Sequence, residues 1–335
     1  MKNNKLFKLG VIALSIVLIA CAGGSSEEAG CPAIEDRKIN VVATTPMIGE
    51  FVSQVGGDNI NLTVIMPPEA DPHTYEPAPQ DAGTIADADL IFYTGLKYEP
   101  AAVVKLLESS ACSLDAIAEV GENVYPIEFE EGGHDDHGDH DEEGHDDEEG
   151  HDDHEGHDHG AYDPHFWFDP NRVAYATEYI ESKLVEFDPT NAVSYESAGS
   201  AYTDKLKGLI AQVSDLISTI PSQNRKLITT HESLGYLEAK FGLEVLSTII
   251  PSLDSANEIS PAQLVDVIDV IEDNNVKVIF IEAEAPSVYA ETIVAETGIK
   301  AVEGLWVETL KAGQSYPDFL ITAVELIVEN LKNAD

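Results

Sequence analysis

Three histidines outside the low-complexity part of the chain are the residues best suited to chemistry. His73 and His165 each follow an Asp-Pro pair, and His231 follows a predicted strand at residues 226–230. A preceding proline stiffens the backbone, so the imidazoles of His73 and His165 give up little freedom on binding. One histidine alone is more often a hydrogen-bonded structural residue, but three in such positions favour a metal site. Three imidazole nitrogens suit a borderline ion such as Zn²⁺.

A second source of ligands is an acidic, histidine-rich loop at residues 130–160. Its eight histidines are His134, His137, His140, His145, His151, His154, His157 and His159. Residues 128–158 hold 17 acidic side chains and no lysine or arginine. A charge run is usually only solvated chain, but this many imidazoles predicts a flexible, low-affinity zinc collector. An EF-hand is excluded, because Gly150 stands where a loop starting at Asp139 needs its bidentate Glu.

The charge of the chain excludes several classes of partner. The 335 residues carry a formal net charge of −44, and 45 acidic residues (62 − 17) against 18 basic ones remain outside that acidic segment. Nucleic acid and anionic membrane surfaces attract basic residues, so neither is expected as a partner. A hydrophobic content of 43% is enough for real cores, in two ordinary domains or one large one.

The N-terminus has the pattern of an export signal. Three lysines among the first eight residues precede an apolar run at residues 11–20, which is too short to span a bilayer. The run ends in Leu-Ile-Ala before Cys21, which resembles the lipobox of bacterial lipoproteins. We therefore expect a signal peptide at residues 1–20, lipidation of Cys21 and a tether at residues 21–37. An ordinary signal peptide with a chance cysteine is the alternative. The mature protein is then exported, and lies in the periplasm or anchored to the outer face of the cell membrane.

The two remaining cysteines predict one disulfide. Once Cys21 is assigned to lipidation, Cys31 and Cys112 remain, and neither belongs to a CxxC pair. Two such cysteines in an exported chain favour a disulfide bond between them. Such a bond would join the start of the mature fold to the end of a predicted helix at residues 99–109. Two independent buried thiols are the alternative.

The elements that must position the histidines alternate between strand and helix. Strands are predicted at residues 39–44, 61–66, 90–93 and 123–125, and again at residues 226–230, 244–248, 276–281 and 299–302, with helices between them. Such alternation predicts parallel sheets covered by helices. We therefore expect an α/β protein of two lobes, at residues 38–169 and 225–335, each with a parallel sheet flanked by helices.

A long helix is expected to join the two lobes. Residues 170–224 read as linking helices, and the stretch at residues 190–220 has no internal proline. At 1.5 Å per residue such a helix is roughly 45 Å long, about the length of a domain. It predicts a rigid spine between the two lobes.

Three segments of the chain together resemble one known family. DPHTYEP, DPHFWFDP and THESLGYLEAKFGL are similar to the signature segments of the ZnuA-like, cluster-A metal receptors of bacterial ABC importers. The resemblance spans roughly residues 38–331 and includes an acidic histidine-rich loop. It implies a solute-binding protein that binds one metal ion with His73, His165 and His231.

The fourth ligand implied by the resemblance departs from the family pattern. The family carries an Asp near the C-terminus, and the matching segment LWVETL places Glu308 at that position. Glu308 is one methylene longer, so a water or another carboxylate is the alternative ligand. Manganese-type members carry Glu at the third position, whereas His231 gives three nitrogens and one carboxylate. This set favours Zn²⁺ over manganese or iron.

Residues around His165 have more modest roles. The aromatic residues at 166–168 are expected to pack and fix the loop. Asp163 or Asp169 is expected to orient an imidazole, with capping of a turn as the alternative.

The sequence also weighs against other functions. A zinc-dependent hydrolase needs an open metal position and a base, but His231-Glu232 continues to Gly235 instead of the second histidine of HExxH. A surface adhesin or passive metal store is a further alternative. We therefore predict that the protein is not an enzyme. We expect a monomeric, lipid-anchored zinc receptor that docks on an ABC transporter permease and delivers Zn²⁺ as the transported ligand.

Overall fold

The computed structural model describes Cys31 and residues 37–129, 161–284 and 287–334. The expected signal peptide, the lipidation site Cys21 and the eight histidines of the acidic loop lie outside the described residues, as does most of the tether. Within the described part of the chain, no helix is long and apolar enough to cross a membrane.

The first lobe is built on a parallel sheet of four strands in the order β2-β1-β3-β4. The strands are β1 (Ile39–Ala43), β2 (Ile60–Val64), β3 (Leu90–Tyr93) and β4 (Ile117–Glu119). The helices between them are α1 (Pro46–Gly56), α2 (Pro79–Ala86) and α3 (Ala101–Ser110). Thr45 caps α1 by accepting a hydrogen bond from the Ile48 N–H, and Pro46 occupies the first turn.

The predicted strand at residues 123–125 is wrong. The fourth strand lies earlier, at β4, and Gly121–Val124 forms a 3₁₀ turn. Tyr125 follows this turn in a left-handed conformation (φ 55°), which is incompatible with an extended strand at residues 123–125. Three residues of strand without a clear alternation of apolar and polar side chains give little periodic signal.

A helical connection links the two sheets. A short hairpin of β5 (Glu128–Phe129) and β6 (Ala161–Tyr162) brackets the acidic loop. Two helices follow, α4 (Pro170–Phe187) and α5 (Ala192–Ser218). The spine helix α5 is 27 residues long, shorter than expected, because a 3₁₀ turn at Pro189–Asn191 takes its first residues. At 1.5 Å per residue it extends about 40 Å.

The second lobe repeats the first, with the strand order β10-β9-β7-β8. Its parallel strands are β7 (Lys226–His231), β8 (Glu244–Ile250), β9 (Val278–Glu282) and β10 (Lys300–Leu305). Its helices are α6 (Gly235–Phe241), α7 (Pro261–Asn274), α8 (Ala290–Thr297) and α9 (Tyr316–Leu331). The expected α/β architecture of two parallel sheets flanked by helices, with a long helix between them, is confirmed.

One apolar core is shared by both lobes. It contains Phe51 and Trp167 from the first half together with Leu227, Phe280 and Phe319 from the second. Burial of aromatic side chains of this size stabilises by a few kcal/mol each, so the shared core resists relative movement of the lobes. Loops that leave the two sheets therefore meet on a fixed frame.

Cys31 and Cys112 are joined by a disulfide bond that closes 81 residues of chain. Cys112 lies two residues beyond α3, and its sulfur contacts the carbonyl of Ala88 just before β3 begins. The bond therefore lies at the amino-terminal edge of the first sheet, away from the edge where its strands end.

Candidate metal centre

The four residues expected to bind metal converge in the structure. His73, His165, His231 and Glu308 each present one ligand atom, and these atoms all lie within 4.8 Å of one another. His165, His231 and Glu308 are fully buried, and the side chain of His73 is 4% exposed. Because the four come from segments up to 235 residues apart, the fold alone brings them together.

The repeated Asp-Pro-His frame has a physical explanation. In both copies an aspartate oxygen accepts a hydrogen bond from the backbone N–H of the histidine two residues later, at 3.0 Å from Asp71 to His73 and 2.8 Å from Asp163 to His165. Proline between them has no N–H and a fixed φ, which favours this turn. The frame therefore sets the direction in which each imidazole leaves the backbone.

Asp163 and Asp169 have different roles beside His165. Asp163 Oδ1 lies 2.8 Å from His165 Nδ1 and fixes the ring. Asp169 instead caps α4, because its side chain accepts a hydrogen bond from the Asn171 N–H. The aromatic side chains between them are fully buried, and the Trp167 indole N–H also donates to the Val307 carbonyl at 2.8 Å.

His231 is the last residue of β7, where the sequence placed it just after the strand. Its Nδ1 lies 2.5 Å from Glu282 Oε2, at the end of the neighbouring strand β9. Glu282 also accepts hydrogen bonds from the His231 N–H at 3.3 Å and the Ser233 hydroxyl at 3.1 Å. A carboxylate on Nδ1 leaves the Nε2 lone pair free for a metal ion.

Glu308 lies in the turn after β10 and is reached by all three imidazoles. Its Oε1 is 2.7 Å from Nε2 of His231, 3.2 Å from Nε2 of His165 and 3.3 Å from Nε2 of His73. Burial alone would raise the pKa of Glu308, but His165, His73 and His231 together hold it well below its usual range. The carboxylate is therefore ionised in the interior of the protein.

Nearby carboxylates also shift the pKa values of two of the imidazoles. Burial lowers the pKa of His165, but Glu308 and Asp163 outweigh it and raise the pKa to about 9. Burial is again opposed at His231, where Glu282 and Glu308 raise the pKa well above its ordinary value. A site that attracts protons this strongly attracts other cations for the same reason.

Two ligand atoms are left without a hydrogen bond in the described structure. His231 Nε2 and Glu308 Oε2 are both fully buried, and neither has a hydrogen-bond partner of good geometry. Buried polar atoms are normally paired, so two unsatisfied atoms within one buried cluster favour an ion-binding site there. Three nitrogens and a carboxylate can bind a divalent metal ion.

Tyr98 covers the site from the first lobe. Its ring centroid is 5.1 Å from that of His73, and its hydroxyl donates to the Glu308 carbonyl at 2.9 Å. The preceding turn has three consecutive residues with positive φ, ending at Leu96 and Lys97. Such backbone costs of order 1–3 kcal/mol for each non-glycine residue, so it persists only where the surroundings hold it. Buried Glu99 holds it here by accepting hydrogen bonds from the backbone N–H groups of Thr94 and Gly95.

A cavity of about 1030 Å³ opens beside His73. It is lined by Tyr98 and Tyr162 and by the carboxylates of Glu108, Glu122 and Asp254, among others. His73 is therefore the candidate ligand nearest to solvent.

Sequence reasoning missed the residues that hold the ligands in place. Glu282, Tyr98 and Glu284 all contact a candidate ligand or its backbone, yet none stands in a recognisable motif. The one available signal was the position of Glu282 at the end of a buried strand, next to the strand that carries His231. Ends of adjacent parallel strands meet at one edge of the sheet.

Comparisons with known proteins place the chain in a class. A sequence model of the family described as zinc-uptake complex component A, periplasmic, matches residues 41–333. The manganese ABC transporter substrate-binding lipoprotein PsaA of Streptococcus mitis is 29% identical over 342 residues, covering 98% of this chain and 99% of the relative.

Solved structures share the fold. The periplasmic zinc-binding protein TroA from Treponema pallidum superposes with a TM-score of 0.71 at 23% identity, covering 88% of this chain and 99% of that one. Fe(III)-bound YtgA from Chlamydia trachomatis gives a TM-score of 0.72 at 23% identity, covering 88% and 98%.

The fold and the buried cluster of three imidazoles and one carboxylate define a metal-binding receptor of an ABC importer. The chain belongs to the zinc-uptake complex component A family. The named relatives span manganese, zinc and iron, so membership alone does not select the ion.

Proposed function

We propose that this chain is the zinc receptor of its importer, and that it binds one Zn²⁺ ion between His73, His165, His231 and Glu308. The observation that carries the proposal is the convergence of three Nε2 atoms on one carboxylate oxygen in a buried site. Nitrogen-rich sites bind Zn²⁺ far more tightly than Mn²⁺, which favours oxygen donors. His231 is the residue that makes the set nitrogen-rich.

The family to which the chain belongs indicates the location and the partner of the receptor. Receptors of metal ABC importers work outside the cytoplasm, as periplasmic proteins or lipoproteins, and hand the ion to a membrane permease. Lipidation of Cys21 would hold this chain at the outer face of the membrane. The chain performs no covalent chemistry in this account, because the ion itself is the cargo.

A manganese receptor is the second candidate. It is favoured by the streptococcal relative, which is named for manganese. The donor set argues against it, because only one of the four candidate ligands is an oxygen donor. A zinc-dependent hydrolase has less support, since no second histidine follows the His231-Glu232 pair and the family is a transport family.

The acidic loop is proposed to collect zinc weakly and raise its concentration near the tight site. Eight imidazoles among many carboxylates offer numerous low-affinity ligands. Deletion of residues 132–160 should remove the weak zinc ions and leave one tight ion bound. If tight binding disappeared with the loop, the assignment of the ion to the buried site would be wrong.

Metal uptake by cells tests the proposal. In the source organism, replacement of the chain by His231→Ala should abolish high-affinity uptake of radioactive zinc and slow growth only when zinc is chelated. The unaltered chain, expressed at the same level, is the control. A growth defect that manganese repairs and zinc does not would favour the manganese receptor.

A further inference from the structure

One carboxylate holds the turn that carries Glu308. Glu284 Oε1 accepts hydrogen bonds from the backbone N–H groups of three consecutive residues, Val307 at 3.2 Å, Glu308 at 3.1 Å and Thr309 at 3.3 Å. Three hydrogen bonds to one oxygen define where this turn sits relative to β9.

Residues at the C-terminal end of β9 contact two candidate ligands. Glu282 binds the imidazole of His231, and Glu284, two residues further on, binds the turn of Glu308. The Ala283 N–H between them donates to the Leu305 carbonyl at 2.8 Å, which keeps this segment alongside β10. Both carboxylates therefore act on the site from the C-terminal end of β9, Glu282 on an imidazole and Glu284 on a backbone turn.

The carbonyl groups of the turn are held from the other lobe. Tyr98 donates to the Glu308 carbonyl, and Trp167 donates to the Val307 carbonyl. Glu284 thus supplies the contacts to the N–H groups, and the first lobe supplies contacts to the carbonyls. The turn is fixed from both sides, and the side chain of Glu308 extends from it towards the three Nε2 atoms.

We propose that Glu284 is a positioning residue for Glu308, and that it sets the reach of this ligand into the metal centre. The proposal rests on the proposed function, since it assigns Glu284 a role at the same site. A glutamate has three side-chain torsions, so its oxygen reaches a defined point only when its backbone is fixed. Freeing the turn would misplace the carboxylate without removing it.

A double-mutant cycle on the full mature chain tests this role. Glu284→Ala should weaken Zn²⁺ binding by about 10- to 100-fold, as loss of a partner that orients a ligand typically does. Glu284→Gln keeps an acceptor oxygen and should retain most of the affinity. In a Glu308→Ala background, Glu284→Ala should cause no further loss, because the residue it positions is absent.

A matched control separates positioning from general destabilisation. Asp89 is also a buried carboxylate that accepts a hydrogen bond from a backbone N–H, that of Asn40 at 2.7 Å, and it directly precedes β3 at the edge of the sheet where the strands begin, away from the site. Asp89→Asn should lower the thermal stability while leaving Zn²⁺ affinity unchanged. The absorption spectrum of bound Co²⁺ reports ligand geometry, so it should change in Glu284→Ala and not in Asp89→Asn.

The outcomes separate this inference from the proposed function. If the unaltered chain binds zinc tightly and Glu284→Ala does so equally, with an unchanged Co²⁺ spectrum, the positioning role is wrong and the receptor stands. Equal losses from Glu284→Ala with and without Glu308 would also overturn it, because the effect would not pass through Glu308. If the unaltered chain binds no zinc tightly, the proposed function fails first.

Discussion

The inner and outer sides of the metal centre are built differently. On the inner side, His165 and His231 are fully buried, and each Nδ1 has a carboxylate within hydrogen-bond distance. On the outer side, His73 borders a cavity, and its Nδ1 lies 3.9 Å from Asp254, whose side chain is 51% exposed. The inner imidazoles are therefore held before an ion arrives, whereas the ring of His73 is less constrained.

We expect the two sides to have different roles in metal binding. An imidazole that is already oriented loses little freedom on binding, so we expect the inner imidazoles to determine the affinity and the choice of ion. His73 lines the cavity and also belongs to the buried cluster. We infer that His73 mainly controls the rate at which the ion enters and leaves.

Removal of an inner ligand should have the largest effect. His231→Ala should weaken Zn²⁺ binding by more than about 100-fold, because loss of an orienting partner alone costs about 10- to 100-fold. His73→Ala should lose less affinity, since water from the adjacent cavity can take its place, and should release zinc faster. Competition with a chelator gives the affinities, and stopped-flow transfer to the chelator gives the rates.

Unfolding of either variant would confuse this result, so the thermal stability of the metal-free forms is measured in parallel. Equal losses of affinity from both substitutions, with equal release rates, would remove the distinction between the two sides.

The carboxylate partners should give the next largest effect. Asp163→Asn and Glu282→Gln each weaken the support of an inner imidazole and should lower Zn²⁺ affinity by about 10- to 100-fold. Asp254→Asn is the matched change on the outer side and should leave affinity nearly unchanged, because Asp254 is exposed and too distant for a hydrogen bond. Titration of all three variants against one chelator gives the Zn²⁺ affinities to be compared. A loss in Asp254→Asn as large as in Glu282→Gln would contradict the account.

The pH should change affinity through the inner ligands. The pKa of His165 is raised to about 9 in the metal-free protein, so an ion must displace a proton from it at neutral pH. Zinc affinity should therefore rise with pH up to about 9, by up to about tenfold per pH unit for each displaced proton. Calorimetry in buffers of different ionisation enthalpy counts the released protons. Asp254→Asn should leave this slope as it is, and an affinity that is flat from pH 6 to 9 would refute the prediction.

Loss of the disulfide should affect the metal centre least. The Cys31–Cys112 bond closes 81 residues, and removal of such a loop constraint costs about 4 kcal/mol of stability in the chain-entropy description. Since the bond lies at the opposite edge of the first sheet, a double substitution of both cysteines by alanine should leave Zn²⁺ affinity unchanged. Thermal unfolding and zinc competition on the same sample measure both quantities. Altered zinc affinity in this variant would show that the two edges of the sheet are coupled.

Local signals explain which parts of the structure could be predicted. The helices α4, α6 and α7 have local start or stop signals. A proline and a cap residue start α4 and α7, and a glycine or asparagine in the left-handed conformation follows α6 and α7. The Asp-Pro-His frames are equally local, since the aspartate binds the histidine backbone two residues later.

Long-range contacts explain what could not be predicted. Glu282 binds an imidazole 51 residues away, and no pattern near it separates this carboxylate from the other acidic residues of an acidic chain. The hydroxyl of Tyr98 reaches the carbonyl of Glu308 across 210 residues. Short strands such as β4 fail for a different reason, because three residues carry too little periodicity.

We infer that the buried site selects zinc because three of its four candidate donors are nitrogens. The most direct measurement is competitive binding of Zn²⁺ and Mn²⁺ to the mature chain lacking residues 132–160, which removes the weak ligands of the acidic loop. We expect one tightly bound Zn²⁺ ion that excess Mn²⁺ does not displace, and loss of that ion in His231→Ala. A preference for Mn²⁺, or no tight site at all, would contradict it.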